Sequence, residues 1–218
     1  MMDLDPVEVR ILGCLIEKQR TTPDTYPLSL NALRLACNQT TNRDPVVQYD
    51  ETTIREALHK LSKRRYSRLA SGHSSRAYKF RHLLDEALGL DDEELAVLAV
   101  LMLRGPQTPG ELKQRTERMQ GFASLDALAD VLDRLVEREL VLQLARRPGQ
   151  KEERFMHRLS EEAENAPAVE PAPEPVVAAQ PRSGRIERVE SELAELRAEV
   201  VRLSEQVSEL RSELGLTS

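Results

Sequence analysis

The sequence predicts a mainly α-helical chain with small β-hairpins. Only seven of its 218 residues are aromatic (three Phe, four Tyr, no Trp), so the core must come from Leu, Val, Ala and Ile, which suits helices better than sheets. Apolar residues recur at helical spacing behind clear helix-start signals. The order of elements also repeats within the first 160 residues, which points to an internal duplication.

In the first half, Asp5 caps a helix with Pro6 at its first position and Glu8 three residues on. The stripe Val9, Leu12, Leu15, Ile16 continues it to about Gln19. A second helix is predicted from about Ser29 to Asn38, followed by a loop over 39–49. Asp50 then caps a third helix with Ile54, Leu58 and Leu61 facing inward. Ser67 to Ala70 and Arg76 to Phe80 read as a hairpin around the turn at 71–75. The second half repeats this order: a helix from about Asp92 to Leu103, a helix capped by Thr108 with Pro109 and Glu111, and a third from about Ser124 to Arg138 carrying Leu128, Leu132 and Leu135. Strands Val141 to Leu144 and Arg154 to His157 follow. Helix, helix, helix, hairpin, twice over, is the order of two winged helix-turn-helix domains in tandem, over 1–85 and 86–160.

Residues 161–185 hold five prolines and six alanines and no periodic apolar pattern, and read as a disordered, partly extended Pro-rich linker. A heptad array follows over 186–214. Ile186, Leu193, Val200, Val207 and Leu214 recur every seven residues, with Val189, Leu196, Leu203 and Leu210 between them. This predicts a C-terminal coiled coil about 43 Å long at ~1.5 Å per residue. β-branched residues at the first seam position and Leu at the second favour a parallel homodimer, with an intramolecular or heteromeric helix as the other partner.

Charge divides by region. Residues 1–85 hold 14 Lys/Arg against 10 Asp/Glu, residues 86–160 hold 11 against 14, and residues 161–218 hold 6 against 13. The net charge of −6 therefore hides a basic first domain. Between His59 and His82 there are eight Lys/Arg and no acid. On a helical wheel centred on Leu58, the outer face of the third helix presents Thr52, Thr53, Glu56, Lys60 and Lys63, flanked by His59 and Arg64. Arg68, Arg76 and Lys79 carry the charge onto the wing. Thr52, Thr53, His59, Lys60, Lys63, Arg64, Arg68, Arg76 and Lys79 are the candidate contacts to double-stranded DNA, whose phosphates such a patch attracts. The bland alternative is a solvated helix end whose cations complement the macrodipole, with Glu56 and Lys60 as an ordinary i,i+4 pair. The third helix of the second half carries Asp126, Asp130, Asp133 and Glu137, which DNA would repel, so it suits packing or a protein partner.

No apolar run approaches the ~18–20 residues of a membrane span. The start MMDLDPVEVR lacks a basic signal-peptide region, so a cytoplasmic address is expected. Cys14 and Cys37 read as buried free thiols. His59, His73, His82 and His157 are isolated rather than a metal set. There is no phosphate loop, nucleophile elbow, HExxH or CxxC, so no catalytic residue, metal or cofactor is expected.

The strings TTPDTYPLSLNALRLACNQTTNRDPV (21–46), MLRGPQTPGELKQRT (102–116) and RPGQKEERFMH (147–157) are similar to those of the bacterial YceH family of uncharacterised proteins, over about residues 5–160. The linker and coiled coil fall outside that likeness. The resemblance implies two winged helices in tandem and a DNA-binding or regulatory role. A protein-interaction adaptor built on the same domains is the rival. Asn31, Asn38, Gln39, Asn42 and Arg43, within the first string, either touch DNA or cross-brace the loop before the third helix.

Overall fold

The computed structural model describes residues 3–70, 78–145 and 152–160, together with Arg202. The linker at 161–185 and the seam positions Ile186, Val189, Leu193, Leu196, Val200, Leu203, Val207, Leu210 and Leu214 lie outside the described residues, as does Arg76 of the basic wing. Chain contacts group residues 1–170 into one compact unit and 171–218 into another. In the latter only Arg202 is described, helical and exposed.

The described chain is mainly helical with two small antiparallel sheets. Its elements run α1 (Pro6–Thr21), β1 (Leu28–Ser29), α2 (Leu30–Cys37), α3 (Glu51–Lys63), β2 (Ser67–Leu69) and β3 (Lys79–His82). They continue as α4 (Leu84–Leu88), α5 (Asp92–Arg104), α6 (Pro109–Thr116), α7 (Leu125–Glu137), β4 (Val141–Leu144) and β5 (Arg154–His157). Local chemistry starts each long helix. Asp5 and Glu8 form a reciprocal capping box on α1, Asp91 and Glu94 on α5, and Thr108 and Glu111 on α6. Ser29, Asp50 and Ser124 cap α2, α3 and α7 through single side-chain acceptors.

Three features went unpredicted. A two-residue strand, β1, pairs with β3, so the first sheet has order β1-β3-β2 rather than being a bare hairpin. A short helix, α4, joins the halves and ends at Gly89, whose φ of 59° favours glycine. In the second half, Gln107 forms an isolated bridge to Phe155 beside the β4-β5 hairpin. That bridge occupies the place of β1, so both halves follow the order helix, strand, helix, helix, strand, strand. This order is winged-helix-like.

The likeness between the two halves extends to individual bonds. Both third helices end in a residue of positive φ, Arg65 at 61° and Glu139 at 55°. The next amide bonds back to the helix at 2.9 Å in each half, Tyr66 to the Leu61 carbonyl and Leu140 to the Leu135 carbonyl. At the end of each hairpin a buried histidine, His82 or His157, accepts through Nδ1 from the backbone N–H two residues on, Leu84 or Leu159.

The two halves share one core, and α1 and α5 lie at its centre. Residues 8–16 of α1 and 94–103 of α5 are buried without interruption, so each helix is covered on all sides rather than along one stripe. They pack against one another more extensively than any other pair of elements. Gly13 permits the approach: a Cβ there would stand 2.9 Å from Leu103 Cγ and 3.2 Å from Met102 Cβ. Arg20 at the end of α1 pairs with Asp92 at the start of α5. The Leu4 N–H bonds to the Leu159 carbonyl at 3.0 Å, closing the N-terminus against the end of the second half. Cys14 and Cys37 are buried free thiols within this core.

Candidate nucleic-acid interface

The inner face of α3 buries Ile54, Ala57, Leu58 and Leu61 against α1 and α2. Its opposite face looks into solvent. Thr52, His59, Lys60, Lys63, Arg64 and Arg68 are exposed, whereas Thr53 and Lys79 are half-buried. The Thr53 N–H donates to Asp50 Oδ1 at 2.7 Å, and the Thr53 backbone and hydroxyl bonds hold the Asp50 carboxyl below its usual range. Thr53 therefore belongs first to the helix cap.

Two of the expected DNA contacts are already engaged. Lys60 Nζ lies 2.9 Å from Asp5 Oδ2 and Arg64 Nη1 lies 3.7 Å from Glu8 Oε2, and Arg64 also donates to the Asp3 carbonyl. Partial burial raises the Asp5 carboxyl, but bonds from Glu8 N–H and Lys60 outweigh it and hold Asp5 below the usual carboxylate range; Lys60 is raised in turn. The ion pair of Lys60 goes to Asp5, not to Glu56 as i,i+4 spacing suggested.

The second half contains the same device. Arg134 lies 3.2 Å from Asp91 and Arg138 lies 2.9 Å from Glu94, and Arg138 donates to the Leu88 carbonyl. In each half, then, two cations near the end of the third helix reach the capping-box acids of the first. A feature that recurs on the acidic helix α7 serves the fold, and Lys60 and Arg64 are architectural before they are anything else.

With those ties set aside, the outer faces of the third helices can be compared directly. Superposing the caps Asp50 and Ser124 aligns Thr52 with Asp126, Glu56 with Asp130, His59 with Asp133 and Lys63 with Glu137. One face carries mixed charge and the other carries four acids, all exposed. Among the described residues, Lys63, Arg65, Arg68 and Lys79 form no hydrogen bond or ion pair through their side chains with a carboxylate, and Arg65, Arg68 and Lys63 are exposed. Arg81 and Arg55 pair locally, with Glu86 and Glu51.

Sequence reasoning missed an apolar groove on the same side. It is a cavity of about 750 Å³ between the starts of α2 and α3 and the strands β2 and β3, walled by Leu30, Arg55, Leu69, Tyr78 and Phe80. Tyr78 is 71% exposed and Leu69 46%. The sequence offered no signal for it: Ser67 is buried and both Arg68 and Leu69 are exposed, so the two-residue period of a strand would have placed Leu69 on the buried side with Ser67. Asn38 and Gln39 turn inward instead, whereas Asn42 is exposed and accepts from Arg104. Asn38 brackets Tyr49 through two bonds of 2.8 Å, to its carbonyl and from its N–H. Gln39 and Glu17 accept from the Arg43 guanidinium, whose side chain is wholly buried. Asn31 accepts from Arg34. Asn38, Gln39 and Arg43 thus cross-brace the loop, whereas Asn31 is exposed and pairs within its own helix.

A family model described as "Protein of unknown function, DUF480" matches residues 4–150. The chain belongs to the DUF480 family. Relatives carrying the name UPF0502 protein agree. That of Geotalea daltonii is 50% identical over 190 residues, covering 84% of this chain and 87% of its own. That of Geotalea uraniireducens is 48% identical over 216 residues, covering 97% and 98%, and that of Serratia proteamaculans 41% over 211 residues, covering 94% and 97%. An alignment over 97% of this chain runs well beyond Ser160. The likeness to UPF0502 proteins therefore includes the C-terminal segment, contrary to the expectation that it stops near residue 160. Among the described residues, no helix is long and apolar enough to cross a membrane, and no group of three or more His, Cys, Asp or Glu side chains could hold a metal ion.

Proposed function

We propose that this chain is a non-enzymatic, cytoplasmic DNA-binding regulator of the YceH type, built from two winged helices in tandem and dimerised by a C-terminal coiled coil. The observation that carries the reading is the difference between the two third helices: α3 and its hairpin hold exposed cations free of acid partners, and α7 holds an unbroken acidic face. In a winged helix that third helix enters the major groove and the hairpin meets the backbone beside it. Lys63, Arg65, Arg68 and Lys79 would then neutralise phosphates, with Thr52 and His59 nearest the base edges.

The test is fluorescence anisotropy of the full-length protein with a mixed-sequence duplex. Four phosphate contacts imply a fall in affinity on the order of 10²-fold between 50 and 200 mM salt. Reversing Lys63, Arg68 and Lys79 to Glu removes binding, whereas Lys60→Gln acts mainly on stability. Absence of binding at 50 mM salt, or binding indifferent to the three reversals, refutes the reading. The dimer is tested separately by light scattering, in which deletion of 182–218 halves the mass; a monomeric full-length chain rules it out.

The groove beside α3 favours a second reading, a protein-interaction adaptor. Leu30, Leu69, Tyr78 and Phe80 offer an apolar surface that a peptide side chain fills and a phosphodiester does not.

A further inference from the structure

Two clefts adjoin where α1, α5 and α6 meet, away from the face of α3. The first, about 420 Å³, is walled by Glu17, Leu103, Arg104, Arg115, Arg118 and Met119. The second, about 300 Å³, is walled by Asp44, Arg104, Gln107, Glu111, Arg115 and Arg154. Asn42, Arg104 and Arg115 line both. Each volume falls in the range of small-ligand sites.

The acids at these walls are largely occupied. Glu17 accepts from Arg43 at 3.2 and 2.6 Å and lies 3.4 Å from Lys18. Glu111 takes Arg115 at 3.3 Å and Arg154 at 3.7 Å besides capping α6. Asp44 is the exposed acid at the rim. Against these, Arg104 donates only to the Asn42 side chain, and Arg118 has no hydrogen bond or ion pair among the described residues. Burial, then the charges of Arg115 and Arg43, hold the Arg104 guanidinium below its usual range, against the opposing pull of Glu17 and Glu111.

A second observation is independent of charge. Gln107 is 4% exposed, and its Nε2 donates to the carbonyls of Arg104, Gly105 and Pro106 at 3.1, 3.3 and 2.8 Å. Those bonds fix the amide's orientation and leave Oε1 as a buried acceptor with no partner. A buried acceptor left unbonded is costly and calls for an explanation. A ligand with both an anionic group and a hydrogen-bond donor answers both features.

We propose that the joined clefts bind a small organic phosphate bearing a hydroxyl or amino donor, with Arg104, Arg115 and Arg118 holding the phosphate and Gln107 Oε1 accepting from the donor. Leu103 and Met119 give the first cleft an apolar wall for the ligand's remaining body. This site does not depend on the DNA-binding reading, since it uses other residues on another face.

The experiment is calorimetry of the full-length chain with AMP, glycerol 3-phosphate, adenosine and sulfate. AMP or glycerol 3-phosphate binds, adenosine does not, and sulfate, which has no donor, binds at least tenfold more weakly. Arg118→Gln lies on an exposed side chain that bonds to nothing described, so it leaves the thermal melt unchanged while weakening the phosphate at least tenfold. Arg104→Gln weakens the phosphate equally, and lowers the melt slightly because it also removes the bond to Asn42. Failure of both organic phosphates at millimolar concentration overturns the proposal, as does binding unchanged in the two variants. Sulfate binding as tightly as the organic phosphates removes the role of Gln107. A DNA duplex that loses affinity in both variants while neither small phosphate binds assigns the arginines to a polynucleotide and likewise overturns it.

Discussion

Acidification from pH 7 to pH 5 tests the two hairpin-closing histidines together. His82 and His157 are 1% and 7% exposed, and burial pushes each from 6.5 down to about 4. At His82, Asp85 opposes the shift from 3.5 Å and Arg81 and Arg20 reinforce it. In the unfolded chain both return to ordinary values. The folded pKa is thus the lower one, and between about 6.5 and 4 the unfolded state binds protons that the folded state refuses. Stability is full above pH 6.5 and falls as pH drops toward 4. At ~1.36 kcal/mol per unit for each group, the step from pH 7 to 5 costs about 2 kcal/mol per histidine and about 4 kcal/mol in all. That is a large share of the ~5–15 kcal/mol typical of a whole domain. Urea unfolding of the full-length protein at half-unit pH steps, followed by circular dichroism, reads the slope directly. His157→Asn keeps an acceptor for the Leu159 N–H and removes the titration, so it halves the slope. A loss of less than about 1 kcal/mol across the range, or an unchanged slope in His157→Asn, refutes the reasoning.

Two substitutions probe the shared core. Gly13→Val drives a branched side chain into Leu103 and Met102, where even a Cβ would lie 2.9 and 3.2 Å away, and lowers stability by about 2–3 kcal/mol, seen as an earlier urea midpoint. Gly13→Ala loses less, because a helix gain of about 1 kcal/mol offsets part of the strain. Glu17→Gln leaves the fully buried Arg43 side chain without its carboxylate at 2.6 Å and costs about 3 kcal/mol in the same assay.

What was legible in the sequence was local. Capping signals at Asp5 and Thr108 announce themselves within four residues, and the structure places a helix on each, whereas the box of Asp91 and Glu94 emerged only with the structure. The hairpins follow from the same short-range chemistry. Elements that exist only through distant partners were not legible. β1 is two residues long and is a strand only because β3 lies beside it. α4 has five residues, too few to show a period. At the candidate interface, a helical wheel correctly turned Lys60 and Arg64 away from the apolar stripe. It has no knowledge of Asp5 and Glu8, which only the tertiary fold brings to them. Comparing the two halves residue by residue was the one available clue, because Arg134 and Arg138 stand in the same relation to Asp91 and Glu94.

The packing of α1 on α5 bears on how far the two halves depend on one another. Here the first helix of each half has become the other's interior, with residues 8–16 and 94–103 buried together. Deleting one half would expose the central helix of its neighbour along its length, and the survivor would lose much of its apolar burial. Neither half can be discarded without unroofing the other.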